Sequence, residues 1–533
     1  MNNGKICVSV CAETADKLIE QIKRAENLAD VIEIRFDCLN ENEFEKVKKN
    51  IEILKVNSKK PFLITFRPDE QGGKRKLDYF NDRINFWLGC REIREMDFVD
   101  IEFDLFCDEG HNWKLYELKK AQFICSYHNF NETYKELDLL YARLSNTKLK
   151  FSVSKKDFHI IKSRIENSIS KIAIQTHDIT DSLPVWELIK FAKKKNREII
   201  PIAMGEAGKW TRILGLAHGA FMTYAALDAG QETAPGQVSA RDLLEVYRAK
   251  ELNENTEVYG ILGSNTSVSM SPYIHNAAFK YHHLNSVFVP LQVHNLDEFI
   301  TRMVKSETRE IELNFQGFSV TIPHKQTIIK HLDYLDETAR KIGAVNTVKI
   351  IDGKLHGYNT DADGFIEPLL NSYGDLTGAR VAILGAGGAA RACVYALQQS
   401  GAKATIFARD IEKARSFADE FGAELKELVT DRLLAIDYKD FDILVNTTPL
   451  GMKGKAEGET PATAEQLKGL HLVYDLVYIP FQTALMTQAD AAEVPKIGGL
   501  AMLIAQAMEQ QKIWTGKDAP MREMSRAALE RLQ

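Results

Sequence analysis

The chain has 533 residues, of which 45% are hydrophobic and 27% charged, and its formal net charge is −6 at pH 7. This length predicts two to four globular domains. A weakly acidic chain without a basic block is not expected to bind nucleic acid.

The apolar runs are too short for membrane insertion or secretion. None reaches the roughly 18 residues of a membrane span, and the run Ile6–Val10 is shorter than a signal-peptide core. The seven cysteines are odd in number and never spaced as Cys-x-x-Cys. We therefore expect a cytoplasmic protein with free thiols, no membrane contact and no metal site.

An apolar strand followed by a helix-period segment recurs through roughly the first 250 residues. Helical segments such as Ala15–Leu28, Phe80–Arg94 and Leu183–Lys195 separate the strands, and the short patch Phe151–Val153 is assigned to a helical connection. Repeated βα units predict an α/β protein with a closed (β/α)8 TIM barrel, and an open doubly wound sheet is the alternative. The predicted strands are Ile6–Val10, Val31–Phe36, Phe62–Phe66, Phe98–Phe103, Ala121–Tyr127, Lys171–Gln175, Glu198–Ala203 and Phe221–Leu227.

A charged stretch over residues 247–256 interrupts this pattern and predicts a domain boundary. Beyond it we expect a strand at Val258–Leu262, further βα units up to residue 360, and then a glycine-rich unit. The tail again has helical period over Gly498–Lys512.

The glycine-rich unit has the pattern of a dinucleotide site. The strand Val381–Leu384 runs into a turn and a helix, where glycines and helix N–H groups suit a pyrophosphate. The next strand ends at Arg409, where an NAD site would place an acidic residue, and Lys413 follows one helical turn later. These cations favour the 2′-phosphate of NADP over NAD, and a purely structural βα turn is the alternative. The predicted contacts are Gly385, Ala386, Gly387, Gly388, Ala389, Arg409 and Lys413.

Polar residues at the carboxyl ends of barrel strands are candidates for catalysis. An inward-facing Lys171 would have a lowered pKa and could attack a ketone, and His128 could carry the proton. Arg212 could bind a carboxylate through its two N–H groups. The alternatives are a lysine that reaches solvent, a core histidine, a Glu33–Arg35 ion pair and a solvated arginine. The polar positions are Glu33, Arg35, Arg67, Glu102, His128, Lys171, Arg212 and Gln237.

Two further patterns precede the glycine-rich unit. Ser269 and Ser271 stand before a predicted helix and could hold a carboxylate, or they could simply cap the helix. Lys325 follows a strand and Asp361 opens a helix. Such a pair can pass a proton to a carbonyl oxygen as hydride arrives, although a surface ion pair is the alternative.

The first half resembles type I 3-dehydroquinate dehydratase over residues 1–249. The resemblance implies that Lys171 forms a Schiff base with the substrate ketone and that His128 takes the C2 proton in a syn elimination. Gln71 stands where the family usually has a glutamate that orients the histidine, so either Glu70 reaches in or this half is slower. The matching motifs are Glu33-Ile-Arg35, Phe66-Arg67, Gly72-Gly73, Ser126-Tyr-His128, Lys171-Ile-Ala, Met204-Gly, Arg212 and Ala234-Pro-Gly-Gln237. The implied substrate contacts are Glu33, Arg35, Arg67, Arg212, Thr233 and Gln237.

The second half resembles shikimate dehydrogenase over residues 258–516. The resemblance implies Lys325 and Asp361 as the catalytic pair and places Gly499 at the NADP site. Two positions depart from the family: Ser319 replaces a frequent asparagine, and Asp410 beside the phosphate site would weaken NADP binding or let NAD in. The matching motifs include Ser269-Met-Ser271-Pro, Thr321-Ile-Pro-His-Lys325, Gly343-Ala-Val-Asn346 and Asn359-Thr-Asp361. The implied substrate contacts are Ser269, Ser271, Thr321, Asn346, Tyr478 and Gln506.

Together the two resemblances imply a bifunctional enzyme that dehydrates 3-dehydroquinate to 3-dehydroshikimate and reduces that product to shikimate with NADPH. The alternatives are a lysine-dependent aldolase barrel, a quinate dehydrogenase, and an active reductase beside a weak or non-catalytic barrel. The expected domains are a dehydratase barrel (1–249), a linker (250–257), a substrate lobe (258–360), an NADP-binding Rossmann lobe (361–495) and closing helices (496–533).

Overall fold

The computed structural model describes residues 2–49, 54, 58–76, 81–89, 97–107, 118, 121–130, 167–428, 436–454 and 456–532. These residues form two compact units, one of residues 1–256 with 289–314 and one of residues 257–288 with 315–533. In the part of the chain so described, no helix combines the length and apolarity needed to cross a membrane.

The first unit is built on a parallel sheet in the order β7-β6-β5-β4-β3-β2-β1-β8-β9. The amide of Phe221 donates to the carbonyl of Ile199 at 2.8 Å, which joins the start of β8 to β7 and closes β1–β8 into a barrel. The predicted strands are all present, with ends that move by two residues or fewer. The strands are β1 (Lys5–Val10), β2 (Val31–Arg35), β3 (Phe62–Thr65), β4 (Phe98–Glu102), β5 (Gln122–Asn129), β6 (Ile169–Gln175), β7 (Ile199–Met204), β8 (Met222–Ala226) and β9 (Val238–Ser239).

The barrel interior changes from apolar to polar along the strands. Side chains alternate with a period of two, so the inward positions of β4 are Phe98, Asp100 and Glu102. Phe98 belongs to a buried apolar cluster with residues from the other strands, such as Leu63 and Ile124. Asp100 and Glu102 are fully buried two and four positions later. The polar layer therefore lies at the carboxyl end of the barrel, where this fold places its active sites.

The helices of this unit follow the predicted pattern with shorter ends. The helix predicted at Ala15–Leu28 ends at Ala25, and the ends of the predicted Phe80–Arg94 helix lie outside the described residues, as does the patch Phe151–Val153. The α-helices in the described residues of this unit are Ala15–Ala25, Glu41–Lys49, Asn81–Gly89, Phe103–Cys107, Leu183–Lys194, Lys209–Leu214 and Leu296–Phe299.

One expectation about the cysteines is wrong. Cys11 and Cys38 form a disulfide, whereas Cys7, Cys125 and Cys393 are buried and belong to no disulfide. The cysteines that pair are 27 residues apart, and spacing along one sequence does not show that the ends of β1 and β2 bring them together.

A mixed sheet follows the barrel strands along the chain and has the order β11-β10-β12-β14-β15-β13. The prediction of continuous βα units up to residue 360 is wrong here, because β14 and β15 form an antiparallel hairpin. Asp352 and Gly353 both have positive φ angles at its turn, which is the geometry of a two-residue hairpin loop. The strands are β10 (Glu257–Gly263), β11 (Ser286–Gln292), β12 (Phe315–Val320), β13 (Tyr334–Leu335), β14 (Thr347–Ile351) and β15 (Lys354–Tyr358).

The last sheet is parallel and has the order β18-β17-β16-β19-β20-β21. This is the strand order of the Rossmann fold, whose ligands bind where the order reverses, beside the first strand. That position lies at the end of β16, where the glycine-rich turn begins. The strands are β16 (Arg380–Leu384), β17 (Lys403–Ala408), β18 (Glu424–Glu427), β19 (Ile443–Asn446), β20 (Leu472–Asp475) and β21 (Lys496–Gly498).

Helices cover the sheets of the second unit. The prediction of a helical tail is confirmed, with the helix running from Gly499 to Thr515. The helices are Ser271–Tyr281, His324–Thr327, Glu337–Ile342, Asp361–Tyr373, Gly388–Gln399, Ile411–Glu420, Ala464–Leu467, Ala484–Ala491, Gly499–Thr515 and Met521–Leu532.

Candidate active sites

Lys171 points into the barrel. Its side chain is 5% exposed and its Nζ lies 2.8 Å from the Oδ2 of Asp100. The Nζ also lies 4.1 Å from the centroid of the Tyr224 ring. Burial lowers the pKa of Lys171, and Asp100 opposes this effect. A lysine that reaches solvent from a strand start is therefore excluded, because β6 begins two residues earlier, at Ile169.

Asp100 is a site residue that the sequence reasoning missed. It pairs with Arg67 (Nη2 to Oδ2, 2.7 Å) as well as with Lys171. Burial raises the pKa of Asp100, but Arg67 and Lys171 lower it more, so the net shift is downwards. Its position two residues before Glu102 on an alternating strand was the signal that could have identified it.

The ring of His128 contacts the guanidinium of Arg67. Its Nδ1 lies 2.9 Å from the Nη1 of Arg67. An arginine can only donate, so Nδ1 accepts and the proton of the neutral ring resides on Nε2. Burial and the charges of Arg67 and Lys171 lower the pKa of His128. His128 lines the same pocket as Lys171, which excludes the interpretation as an ordinary core histidine.

Glu33 and Arg35 line this pocket but do not pair with each other. Glu33 accepts hydrogen bonds from the hydroxyls of Ser9 and Thr65. The guanidinium of Arg35 forms a bidentate pair with Asp37, with N–O distances of 2.9 and 2.7 Å. The alternative of a Glu33–Arg35 ion pair is therefore wrong.

Arg212 is a buried cation suited to a substrate carboxylate. Its Nη2 donates to the carbonyl of Pro235 at 3.2 Å, and its Nε has no hydrogen-bond partner within the described part of the chain. Burial lowers the pKa of Arg212 to about 10. Thr233 and Gln237 lie at the same pocket and bond to each other, with the Thr233 amide donating to Gln237 Oε1 at 2.7 Å.

The structure distinguishes between Glu70 and Gln71. Gln71 lines the pocket together with His128 and Lys171, whereas Glu70 is exposed at the surface of the same turn. No carboxylate from this turn replaces the family's glutamate.

In the second unit Lys325 and Asp361 form a close pair. The Nζ of Lys325 lies 2.5 Å from the Oδ2 of Asp361. Asn346 Nδ2 donates to the other oxygen of Asp361 at 2.8 Å and lies 3.4 Å from the Oε1 of Gln506. Asp361 is the first residue of its helix, where the helix dipole stabilises a carboxylate. Both members are largely buried, with side-chain exposures of 17% and 7%, so they do not form an ordinary surface ion pair.

Of the predicted substrate contacts in this unit, Thr321 lies where parallel β10 and β12 end side by side. A Cβ added to Gly263 would lie 2.5 Å from Thr321 Cγ2. Ser269 and Ser271 lie on the chain between the end of β10 and the helix that begins at Ser271. The Oγ of Ser269 accepts a hydrogen bond from the backbone amide of Ser271 at 3.2 Å, so Ser269 stabilises the first turn of the helix.

Tyr478 and Ser319 stand nearby in supporting positions. Tyr478 packs on an apolar cluster that contains Met270, the neighbour of both serines, and burial raises the pKa of Tyr478. Ser319 donates to Gln510 Oε1 at 2.8 Å. Ser319 therefore anchors the helix that carries Gln506.

The glycine-rich turn fits a dinucleotide. Gly385 has a φ of +108° and a Cβ there would lie 2.6 Å from Thr447 Oγ1, whereas a Cβ at Gly387 would meet nothing within 4 Å. No side chain caps the helix that starts at Gly388, so its first N–H groups remain available for phosphate. A Cβ at Gly388 would lie 3.5 Å from Lys325 Cδ, which places the turn beside the catalytic candidate.

The cations after β17 are exposed, and Asp410 has its own partner. Arg409 and Lys413 are solvent-exposed. Asp410 accepts from the Lys413 amide at 3.0 Å and caps the helix Ile411–Glu420. Gly499 is the first residue of the tail helix, and a Cβ on it would lie 2.2 Å from the Leu476 carbonyl oxygen. Close packing alone therefore accounts for Gly499.

Family models match most of the chain. The type I 3-dehydroquinase model covers residues 6–254 and the shikimate dehydrogenase substrate binding domain covers residues 261–348. The shikimate/quinate 5-dehydrogenase model covers residues 369–450 and the shikimate 5′-dehydrogenase C-terminal domain covers residues 499–529.

Individual proteins are also similar to this chain. A shikimate dehydrogenase (NADP(+)) from Methanocaldococcus jannaschii is 38% identical over 53% of this chain and 99% of its own. A crystal structure of a shikimate dehydrogenase in complex with NADP+ matches 53% of this chain and 98% of its own, with 37% identity and a TM-score of 0.48. The chloroplastic bifunctional 3-dehydroquinate dehydratase/shikimate dehydrogenase of Arabidopsis thaliana is 35% identical over 97% of this chain and 83% of its own. This chain belongs to the family of bifunctional 3-dehydroquinate dehydratase/shikimate dehydrogenases.

Proposed function

We propose that the barrel dehydrates 3-dehydroquinate through a Schiff base on Lys171 and that the second unit reduces the resulting 3-dehydroshikimate with NADPH. The observation that carries the first step is a buried lysine between Asp100 and the Tyr224 ring, in one pocket with His128. The observation that carries the second is the Lys325–Asp361 pair beside the glycine-rich turn.

In the dehydration, Lys171 first loses its proton to solvent, and the neutral amine then attacks the ketone carbon. Water leaves, which forms an iminium. Asp100 stays beside this cation as its counter-ion. The iminium draws electrons from the C2–H bond, so His128 can take that proton and return it to the departing C1 hydroxyl as water. Hydrolysis of the conjugated iminium releases 3-dehydroshikimate and regenerates Lys171.

Arg67 and Arg212 have different tasks in this step. Arg212 binds the substrate carboxylate through its unpartnered Nε–H. Arg67 occupies the Nδ1 of His128 in the free site. His128 Nδ1 can therefore accept a proton only after Arg67 has moved its N–H groups to a substrate oxygen. Substrate binding thus makes the base available.

In the reduction, the residues of this chain bind the ketone and deliver a proton. NADPH, held at the glycine-rich turn with Arg409 and Lys413 at its 2′-phosphate, supplies the hydride when bound. Lys325 donates a proton to the carbonyl oxygen while that oxygen gains negative charge. Asp361 holds Lys325 in place toward this oxygen, and Asn346 orients Asp361.

Borohydride trapping tests the first step. Full-length protein is mixed with 3-dehydroquinate and sodium borohydride, digested, and analysed by mass spectrometry. We expect one reduced adduct, on Lys171. The matched control is Lys171→Met, which should form no adduct and keep its reductase activity; absence of an adduct on the unmodified chain would contradict the Schiff base.

Gln71 favours a second candidate function, an active shikimate or quinate dehydrogenase beside a weak barrel. A glutamine accepts a hydrogen bond but cannot stabilise an imidazolium by charge. If this candidate is correct, dehydration will be barely measurable and Gln71→Glu will raise it. Reduction of 3-dehydroquinate, compared with 3-dehydroshikimate, separates a quinate from a shikimate dehydrogenase.

The domain bounds also remain proposals. We place the barrel at 1–249, the linker at 250–257, the substrate lobe at 258–360, the NADP lobe at 361–495 and the closing helices at 496–533. Limited proteolysis with sequencing of the fragments tests them. Cell fractionation tests the cytoplasmic location.

A further inference from the structure

The disulfide of Cys11 and Cys38 lies at the carboxyl end of the barrel, where the polar pocket opens. Cys11 directly follows β1 and Cys38 lies three residues after β2. Both cysteines are half-buried and line a cleft together with Lys17 and Lys74. A thiolate from solution can therefore reach the bond, through a cleft that also carries carboxylates such as Glu13 and Glu41.

Cys38 is the neighbour of the residue that positions Arg35. The carboxylate of Asp37 holds the guanidinium of Arg35 in a bidentate pair. The same carboxylate accepts from the backbone amide of Lys74 at 3.0 Å. Arg35 Nη2 in turn donates to the Gly72 carbonyl at 3.2 Å. Asp37 thus orders both a substrate-binding arginine and the turn that carries Gln71.

Cys11 is anchored on the opposite side. Its amide donates to Gln21 Oε1 at 3.0 Å, and Gln21 Nε2 donates to its carbonyl at 3.4 Å. Gln21 belongs to the helix Ala15–Ala25, which packs on the barrel through buried residues such as Leu18 and Ile22. The disulfide consequently ties the Asp37 segment to a well-packed frame.

We propose that Cys11–Cys38 is a thiol–disulfide exchange site that sets the affinity of the barrel for its substrate. The reactant is a dithiol, either a small molecule or a protein with a reduced cysteine pair. One thiolate attacks a sulfur of the bond and forms a mixed disulfide, which the second thiol resolves. The cysteine pair gains two electrons and two protons, and the dithiol becomes a disulfide.

Reduction releases the constraint on the Cys38 segment. The loop between the two cysteines, which are 27 positions apart, is then closed only by noncovalent contacts. Asp37 and Arg35 become less well ordered, so substrate positioning weakens while Lys171, on another strand, is unaffected. This inference rests on the proposed dehydratase function of the barrel.

The test compares oxidised and reduced full-length protein. One sample is treated with the disulfide form of dithiothreitol and the other with dithiothreitol, and thiols are counted after denaturation. We expect two more thiols in the reduced sample and a KM for 3-dehydroquinate that is roughly three- to tenfold higher, because loss of positioning weakens binding. The reductase activity of the same chain, measured with 3-dehydroshikimate, is the internal control and should be unchanged.

Cysteine variants distinguish the effect of breaking this disulfide from other effects of the reductant on the protein. Cys11→Ser and Cys38→Ser should have the KM of the reduced chain in both samples. Cys393→Ala, at a buried cysteine outside any disulfide, should keep the full response. Equal KM values in the two samples, or equal thiol counts, would overturn the inference. Absence of dehydration in both samples would instead contradict the proposed function.

Discussion

Arg67 contacts His128 Nδ1 at 2.9 Å and Asp100 at 2.7 Å, so one side chain influences both the base and the counter-ion of Lys171. Burial and Arg67 both lower the pKa of His128. The base must be unprotonated, so activity is lost as the pH falls through this pKa. Arg67 is the second largest of these causes, after burial.

Arg67→Gln removes this cation, so the pKa of His128 rises. We expect the acidic limb of kcat/KM for dehydration to move to higher pH, in addition to a loss in kcat/KM. Full pH profiles of the variant and the parent chain measure the shift. Arg24→Gln, which removes a surface ion pair with Asp228, is the matched control and should leave the profile in place. If the acidic limb of kcat/KM in Arg67→Gln stays at the pH of the parent chain, Arg67 does not lower the pKa of His128.

Asp100 neutralises two buried cations, Lys171 and Arg67. Asp100→Asn leaves the two buried cations without a negatively charged partner. Removal of one partner from a buried ion pair lowers the free energy of unfolding by about 3–5 kcal/mol. Adding Lys171→Met removes one of the stranded charges and should restore part of the loss. Urea unfolding of the parent, the two single variants and the double variant measures the coupling. Additive losses would contradict a direct Asp100–Lys171 interaction.

At this scale the sequence predicts individual residues better than their contacts. Lys171, His128, Lys325 and Asp361 are predicted because each is an ionisable residue at a strand or helix end that matches a motif of the resembled families, and their catalytic roles stay predictions. Asp37, Asp100 and the Cys11–Cys38 bond are not predicted, because these contacts join strands that are distant along the chain. A single sequence carries no direct signal for such pairings.

At the scale of elements, the turn after β16 places three glycines in different environments. Gly387→Ala adds a methyl group in the open space proposed for the cofactor phosphate, so we expect a roughly tenfold higher KM for NADPH with little change in stability. Gly385→Ala instead strains the backbone at positive φ and meets Thr447, so its free energy of unfolding should fall. Steady-state kinetics and urea unfolding measure the two effects. An unchanged KM in Gly387→Ala would contradict a phosphate site at this turn.

The helix Ile411–Glu420 begins at the proposed 2′-phosphate position. Arg409→Gln removes a charge-assisted contact worth about 1.5–3 kcal/mol, so the KM for NADPH should rise roughly ten- to 100-fold while that for NADH changes little. Asp410→Asn is the matched control. Asparagine also caps helices, so its effect on NADPH should be small. A large gain in NADPH affinity in Asp410→Asn would show that this carboxylate repels the phosphate.

Elements with strong periodicity were predicted best. The barrel strands appear within two residues of their predicted ends because apolar runs bounded by polar loops define them. The hairpin β14–β15 was missed, although its Asp352-Gly353 turn is a recognisable signal, because the βα repeat was extended past the first unit. Strand pairing in a mixed sheet depends on long-range contacts that local periodicity does not contain.

At the scale of the whole molecule, one chain combines a barrel with a Lys171 pocket and a Rossmann lobe beside Lys325. The product proposed for the first site is the substrate proposed for the second. Two variants can therefore isolate the steps: Lys171→Met disables only the first, and Lys325→Met only the second.

The most direct test follows NADPH oxidation by the purified full-length protein supplied with 3-dehydroquinate. We predict oxidation by the parent chain and none by Lys171→Met, which should still oxidise NADPH with 3-dehydroshikimate. Lys325→Met should accumulate 3-dehydroshikimate, and a mixture of the two variants should restore oxidation. If the parent chain oxidises NADPH with 3-dehydroshikimate but not with 3-dehydroquinate, the proposed dehydratase activity is contradicted. If it oxidises NADPH with neither substrate, both proposed reactions are contradicted.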